Sequence, residues 1–215
     1  MITLYHCADA RSFRVLWALE EAGLAYDLKI LPFPPRVRDK TYFEINPLGT
    51  IPAFKDGDVF MTESAAIVEY IAVKYAPDRL GVAVEDPAYG AFLNFLHFGE
   101  ATLTFPQTLV LRYGRFEPPE RRQPQVAADY AQWFLARLSA VERALENQDY
   151  LCGRFSGADI SVGYALLLAE VLKLDREFPP RVLAYWNRLQ AREGFLAAKA
   201  SQDKARAAKG LGPTL

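Results

Sequence analysis

The chain has 215 residues, 51% hydrophobic and 24% charged, and 25 Lys and Arg against 26 Asp and Glu leave a net charge of −1 at pH 7. That is enough chain for one large domain or two modest ones with full cores. The basic residues are dispersed and give no sign of a nucleic-acid or membrane-surface patch, and no apolar run approaches the ~20 residues that span a bilayer.

The chain goes directly into Ile2-Thr3-Leu4-Tyr5, which predicts a short strand; no basic segment with a long apolar core precedes it, so no signal peptide is expected. Arg11 to Ala22 predicts a helix, with Phe13, Leu16, Trp17 and Leu19 on its apolar side and Gly23 as its stop. Tyr26 to Leu31 predicts a second strand. Pro32-Phe33-Pro34-Pro35 breaks regular structure, and a short irregular helix is expected over Asp39 to Glu44. Ala53 to Lys55 and Val59 to Met61 predict a hairpin around Asp56-Gly57-Asp58, followed by a helix from Ser64 to Tyr75. A parallel strand pair joined by a helix, then an antiparallel pair joined by a hairpin, is the order of a thioredoxin-like α/β domain.

Beyond residue 76 the texture changes to helical periods. We expect residues 1–76 as the first domain, 77–86 as a linker, and 87–215 as an all-α C-terminal helical bundle. Pro87 to Tyr113 predicts one long helix with a bend at Gly99 or Pro106. Gln125 to Asn147 predicts a second, with Tyr130, Phe134, Leu138, Val141 and Leu145 on one stripe. Ser156-Gly157-Ala158-Asp159 is a capping-box variant ahead of Ile160 to Leu174, which is apolar nearly all round and so predicts a buried central helix. Pro179-Pro180 opens another helix that ends near Gly194, and a short helix from Phe195 leads into a Gly/Pro-containing tail.

The segment richest in chemistry is Asn46-Pro47-Leu48-Gly49-Thr50-Ile51-Pro52-Ala53-Phe54, followed by Glu63-Ser64 at a helix start. A proline nitrogen cannot enter a ladder, so Pro52 marks a strand start or edge. The Ile51 backbone N–H and C=O can then pair with an extended peptide ligand. The following helix start offers N–H groups and a positive dipole end to a carboxylate, and Glu63 can hold an ammonium group beside it. Together these residues describe a site for a small peptide-like anion.

This arrangement resembles the glutathione-binding half of the glutathione transferase family, and Arg11-Ser12-Phe13-Arg14-Val15-Leu16-Trp17 resembles its bacterial and fungal members. The resemblance covers nearly the whole chain, with its specific motifs mostly in the first 80 residues. It implies that Pro52 follows a cis bond, that the Ile51 backbone holds the cysteinyl part of glutathione, and that Glu63 and Ser64 hold the γ-glutamyl end. Lys40 is the expected partner of the glycyl carboxylate. The family's reaction lowers the pKa of the bound thiol and directs the thiolate to a small hydrophobic electrophile in detoxification. The resemblance also implies a homodimer with glutathione as co-substrate; the two distant cysteines point to a reducing cytoplasm, and with no metal-ligand cluster in the sequence no metal is expected.

The family's thiol-activating serine stands just before the Arg-Ser pair, and that position is Ala10 here. A cysteine-type member carries its cysteine near Ala10 or Arg11, and it is absent. Ser12, Arg11 and Tyr5 are the candidate catalytic residues, with His6, Cys7 and the backbone amides of a helix N-terminus also open. The electrophile is expected in a mostly apolar cleft between the domains, with Phe33, Phe105, Leu109 and Tyr113 as lining candidates. Glutathione-dependent peroxide reduction is a related activity. Thiol–disulfide exchange through Cys7 is a second class, disfavoured by the lack of Cys-x-x-Cys, and a non-catalytic ligand carrier or interaction module is a third, kept open by Ala10. The expected role of Cys152, and the first alternative for Cys7, is small apolar packing in a reducing compartment.

Overall fold

A computed structural model describes residues 1–212; the end of the Gly/Pro tail, residues 213–215, lies outside the described residues. The described residues form two compact units, residues 1–83 with 190–212, and residues 84–189.

The first unit is built on a four-stranded sheet of order β2-β1-β3-β4. Strand β1 (Ile2–His6) pairs in parallel with β2 (Tyr26–Ile30) and antiparallel with β3 (Ala53–Asp56), which turns through Gly57 into β4 (Val59–Met61). Alternate residues Ile2, Leu4 and His6 are buried, as the period-two geometry of a strand requires when one face is covered. The crossover helix α1 (Phe13–Ala22) stops at Gly23, which takes φ 66° and returns its N–H to Glu20. Phe13 and residues 15–19 are all buried, because α1 is covered on two sides. Helix α3 (Ser64–Tyr75) packs against it, and so does α9 (Glu193–Ala208). A short helix α2 (Pro35–Arg38) and a 3₁₀ turn over Lys40–Glu44 fill the connection after β2.

The last helix departs from expectation twice. It is 16 residues long rather than short, and it belongs to the first unit rather than to the C-terminal bundle. Phe195 meets the Trp17 and Phe13 rings edge-on at centroid distances of 5.0 and 5.4 Å. The Arg192 guanidinium grips Glu21 through Nε (2.7 Å) and Nη2 (2.8 Å). Gly194 lets the backbone approach that carboxylate, since a Cβ there would lie 2.5 Å from Glu21 Cδ.

The second unit begins with α4 (Tyr89–Phe98) and α5 (Phe105–Leu111), joined and extended by wider π turns at Gly99–Thr104 and Arg112–Phe116. The single long helix expected here is therefore continuous in path but widened. Pro106 lacks the N–H that would bond the Thr102 carbonyl one turn back, and within the wider turn Thr104 Oγ1 donates to the Gly99 carbonyl at 2.7 Å. Helix α6 (Pro124–Ala144) buries Phe134, Leu138 and Val141. Helix α7 (Gly157–Val171) is buried along residues 157–169. Its capping box is closed by Ser156 N–H donating to Asp159 Oδ2 at 2.8 Å, while Leu151 N–H and Tyr185 O–H donate to Oδ1. Helix α8 (Pro180–Gln190) completes the set. No helix among the described residues is long and apolar enough to cross a membrane.

Candidate functional site

The Asn46–Thr50 turn is held by its own side chains. Asn46 Oδ1 accepts from Leu48 N–H at 3.1 Å, and Asn46 Nδ2 donates to the Thr50 carbonyl at 2.9 Å. Tyr42 O–H donates to the same carbonyl at 2.7 Å. Gly49 takes φ 62° where a Cβ would lie 2.8 Å from Arg36 Cβ and from the Phe43 ring, so both conformation and space require glycine. This turn delivers Ile51, half-exposed, just ahead of the β3 ladder, and the Ile51–Pro52 bond is cis. The Phe33–Pro34 bond is also cis, a feature the sequence did not announce.

Register places the rest of the site. Tyr5 of β1 stands opposite Ala53 of β3, so the carboxyl end of β1 lies beside the strand start that Pro52 defines. Glu63 is the residue before α3, exposed, with no capping bond from its own side chain. Ser64 is buried and accepts from Arg14 Nη1 at 3.1 Å. Arg14, wholly buried in α1, thereby ties the starts of α1 and α3 together. Tyr5, Ile51, Pro52, Glu63 and Ser64 thus gather at one end of the first unit's sheet. Lys40 is exposed, with Nζ donating to the Arg36 carbonyl at 2.8 Å. Sequence reasoning missed Arg14, although a charged residue in an otherwise apolar helix was a usable signal.

The three candidate thiol donors differ sharply in placement. Ser12 has no exposed surface, and its hydroxyl lies 2.8 Å from His6 Nδ1 and accepts from Cys7 N–H at 3.2 Å. The expectation that Ser12 offers its hydroxyl to a ligand is not met by this geometry: as the first residue ahead of α1 it turns inward to satisfy the buried His6. Arg11 is half-exposed in the loop between β1 and α1. Tyr5 is half-buried, with its ring 6.0 Å from that of Tyr42.

His6 anchors a buried relay that sequence reasoning also missed. His6 Nε2 lies 3.1 Å from Gln202 Oε1, and Gln202 Nε2 donates to Asp9 Oδ1 at 2.8 Å. Lys199 Nζ donates to the same Asp9 oxygen at 2.7 Å. Asp9 takes the left-handed φ of 54° that lets the loop fold over these partners. Burial pushes His6 from 6.5 down to about 4, so the imidazole is neutral at pH 7. Cys7 is buried, and burial pushes its thiol up to about 12. That removes the thiolate a disulfide-exchange mechanism needs.

Of the second-substrate candidates, Phe33 is half-buried in the first unit and lines a cavity there. In the second unit Phe105 is 55% exposed, while Leu109 and Tyr113 are half-buried. No group of His, Cys, Asp and Glu among the described residues has the arrangement to hold a metal ion.

Comparison with known proteins agrees with this geometry. Residues 10–74 match the glutathione S-transferase N-terminal domain. The chain is 31% identical to glutathione S-transferase hmp2 of Hypomyces subiculosus, over 93% of this chain and 98% of the relative. The crystal structure of a glutathione transferase from Methylococcus capsulatus superposes with a TM-score of 0.81 at 27% identity, covering 94% of this chain and 99% of that one. A theta class glutathione S-transferase from Xanthomonas axonopodis pv. citri, solved with glutathione bound, gives 0.77 at 25% identity over 92% and 96% of the two chains.

Proposed function

The chain belongs to the glutathione S-transferase family, and we propose that it binds glutathione at the sheet end described above and promotes attack of its thiolate on a small apolar electrophile. The observation that carries this reading is the gathering of Ile51, Pro52, Glu63 and Ser64 beside the carboxyl end of β1. Glutathione lies extended, its cysteinyl backbone pairing with Ile51 as an added strand residue. Its γ-glutamyl carboxylate meets the start of α3, and Glu63 takes the ammonium. Lys40 takes the glycyl carboxylate.

The thiol then lies near the β1–α1 loop. A free thiol titrates near ~8.5, so donors or positive potential beside the sulfur raise the thiolate fraction at neutral pH. With Ser12 turned inward, Tyr5 O–H and the Arg11 guanidinium carry this role. The thiol proton leaves to solvent, the sulfur lone pair forms the S–C bond, and the leaving group departs with the electron pair of its own bond to carbon. Phe105, Leu109 and Tyr113 remain our candidates for contact with the electrophile, together with Phe33. We propose a homodimer as the assembled form, because Phe60 and Val73 leave apolar surface 44% and 60% exposed on β4 and α3; light scattering showing only monomer at micromolar concentration would refute it.

The deciding experiment is an ultraviolet titration of the thiolate band of glutathione bound to the protein. A thiolate forming well below the free-thiol value, and lost in Tyr5→Phe or Arg11→Ala, is expected. Saturable binding with an unshifted thiol would instead support a glutathione-binding carrier, a reading favoured by Ala10 and by the inward Ser12. No binding would refute both.

A further inference from the structure

A cavity of about 290 Å³ opens in the first unit, walled by the apolar run of residues 30–33 and by Ala8, with Arg38 of α2 and Arg206 of α9 at its edge. Lys209 holds the neighbouring backbone in place, its Nζ donating to the Ile30 carbonyl at 3.0 Å. Asp203 Oδ1 lies 3.2 Å from Arg206 Nη2. A guanidinium carries five N–H donors in a planar fork, and this contact engages one of its nitrogens. Two arginines in the lining of an apolar cavity describe a site for a flat apolar molecule that ends in an anion. The volume is close to the ~300 Å³ lower end of small-molecule sites, which suits a single substituted ring. Ala8 in its wall belongs to the same loop as Arg11, where the glutathione sulfur is placed.

We propose that this cavity selects an electrophile bearing a carboxylate, an arene carboxylic acid or a close isostere, with Arg206 and Arg38 holding the anion and residues 30–33 holding the ring. The proposal rests on the glutathione transferase reading for its chemistry, while the anion site stands on the cavity itself. Glutathione also carries carboxylates, so the test must separate the two sources.

The probes are chlorodinitrobenzoate and neutral chlorodinitrobenzene as paired electrophiles, and dinitrobenzoate, which has no leaving group, as a binding ligand. In Arg206→Gln the ratio of kcat/KM for the carboxylated over the neutral electrophile should fall about tenfold, as loss of a hydrogen bond to a charged group predicts. The Kd for dinitrobenzoate should rise by a similar factor, with the Kd for glutathione unchanged and Arg206→Lys restoring part of the loss. Arg38→Gln, on the exposed α2, repeats the test where folding is not at stake. An unchanged ratio and unchanged dinitrobenzoate binding in both variants would overturn the proposal. So would a rise in the glutathione Kd with dinitrobenzoate unaffected, which would assign the cations to glutathione. Arginine-dependent dinitrobenzoate binding without turnover of either electrophile would uphold the anion site and remove the transferase reading.

Discussion

His6 and Gln202 are 196 positions apart in the chain, yet His6 Nε2 lies 3.1 Å from Gln202 Oε1. The contact fixes the tautomer. Gln202 Nε2 donates to Asp9 Oδ1 and Gln202 Oε1 accepts from Asp9 N–H at 3.1 Å, so the amide orientation is set from both sides. Gln202 Oε1 therefore accepts from His6 Nε2–H, and His6 Nδ1 accepts from Ser12 O–H. The C-terminal helix thus holds the loop that precedes α1.

Gln202→Leu leaves His6 Nε2–H and Asp9 N–H without their acceptor. An unpaired buried donor costs roughly 1–3 kcal/mol, and the His6 bond is buried while the Asp9 bond is part-buried, so a loss of about 2 kcal/mol is expected in denaturant unfolding. A loss below about 0.5 kcal/mol, the range of a neutral surface change, would show that the relay does not support the fold.

Ser12→Ala separates structure from chemistry. Because the Ser12 hydroxyl is committed to His6, the variant should lose stability while the thiol pKa of bound glutathione stays at its wild-type value. A rise of about one pH unit in the thiolate titration, worth ~1.4 kcal/mol of lost stabilisation, would return Ser12 to the role of thiol donor.

The burial of His6 gives a pH dependence of defined sign. Its folded value of about 4 lies below the ordinary 6.5 because burial disfavours the imidazolium, only partly offset by the Gln202 hydrogen bond and the Asp9 charge, with Lys199 acting in the same direction as burial. The unfolded chain binds the proton first, so stability is present above pH 6.5 and is lost as pH falls toward 4. The full gap is worth roughly 3 kcal/mol. Asp159 acts in the opposite direction, since burial raises its carboxyl to about 6. The difference between wild type and His6→Gln isolates the histidine. We expect the variant's stability to decline less steeply between pH 6.5 and 4, and parallel curves would contradict a neutral buried His6.

Much of the first unit was legible because its signals are local. The alternation in β1, Gly23 after an apolar helix, Asp56-Gly57-Asp58 and the Asn46–Pro52 turn each specify their own backbone. The same alternation places His6 on the buried face with Ile2 and Leu4, so its burial was readable, although its partner Gln202 was not. Ser12 was not readable, because a serine at a helix start serves equally facing inward or outward. The placement of α9 was also hidden: Phe195, Ala198 and Gln202 mark a buried stripe at helical spacing, but a stripe does not name the helix it covers. Only tertiary pairing with Trp17 and His6 does.

Glu63 is exposed and makes no capping bond, so Glu63→Gln removes charge without disturbing α3. If Glu63 holds the glutathione ammonium, the Kd for glutathione should rise about tenfold, as for loss of one hydrogen bond to a charged group. Calorimetric titration reads this directly, and an unchanged Kd with an unchanged melting temperature would sink the assignment.

Gly99 and Gly90 form a matched pair on one helical path. A methyl group at Gly99 would lie 2.5 Å from both the backbone carbon and Oγ of Ser161 in α7. Ser161 cannot give way cheaply, because its Oγ donates to the Leu96 carbonyl at 2.6 Å and the other close atom is main chain. Gly99→Ala should therefore cost roughly 1–3 kcal/mol, the range for overpacking a filled interior. Nothing lies within 4 Å of the equivalent position at Gly90, where alanine gains helix propensity worth up to ~1 kcal/mol. Thermal unfolding should thus move down for Gly99→Ala and hold or move up for Gly90→Ala. Equal shifts would mean that α4 and α7 do not meet at Gly99 as closely as the structure places them.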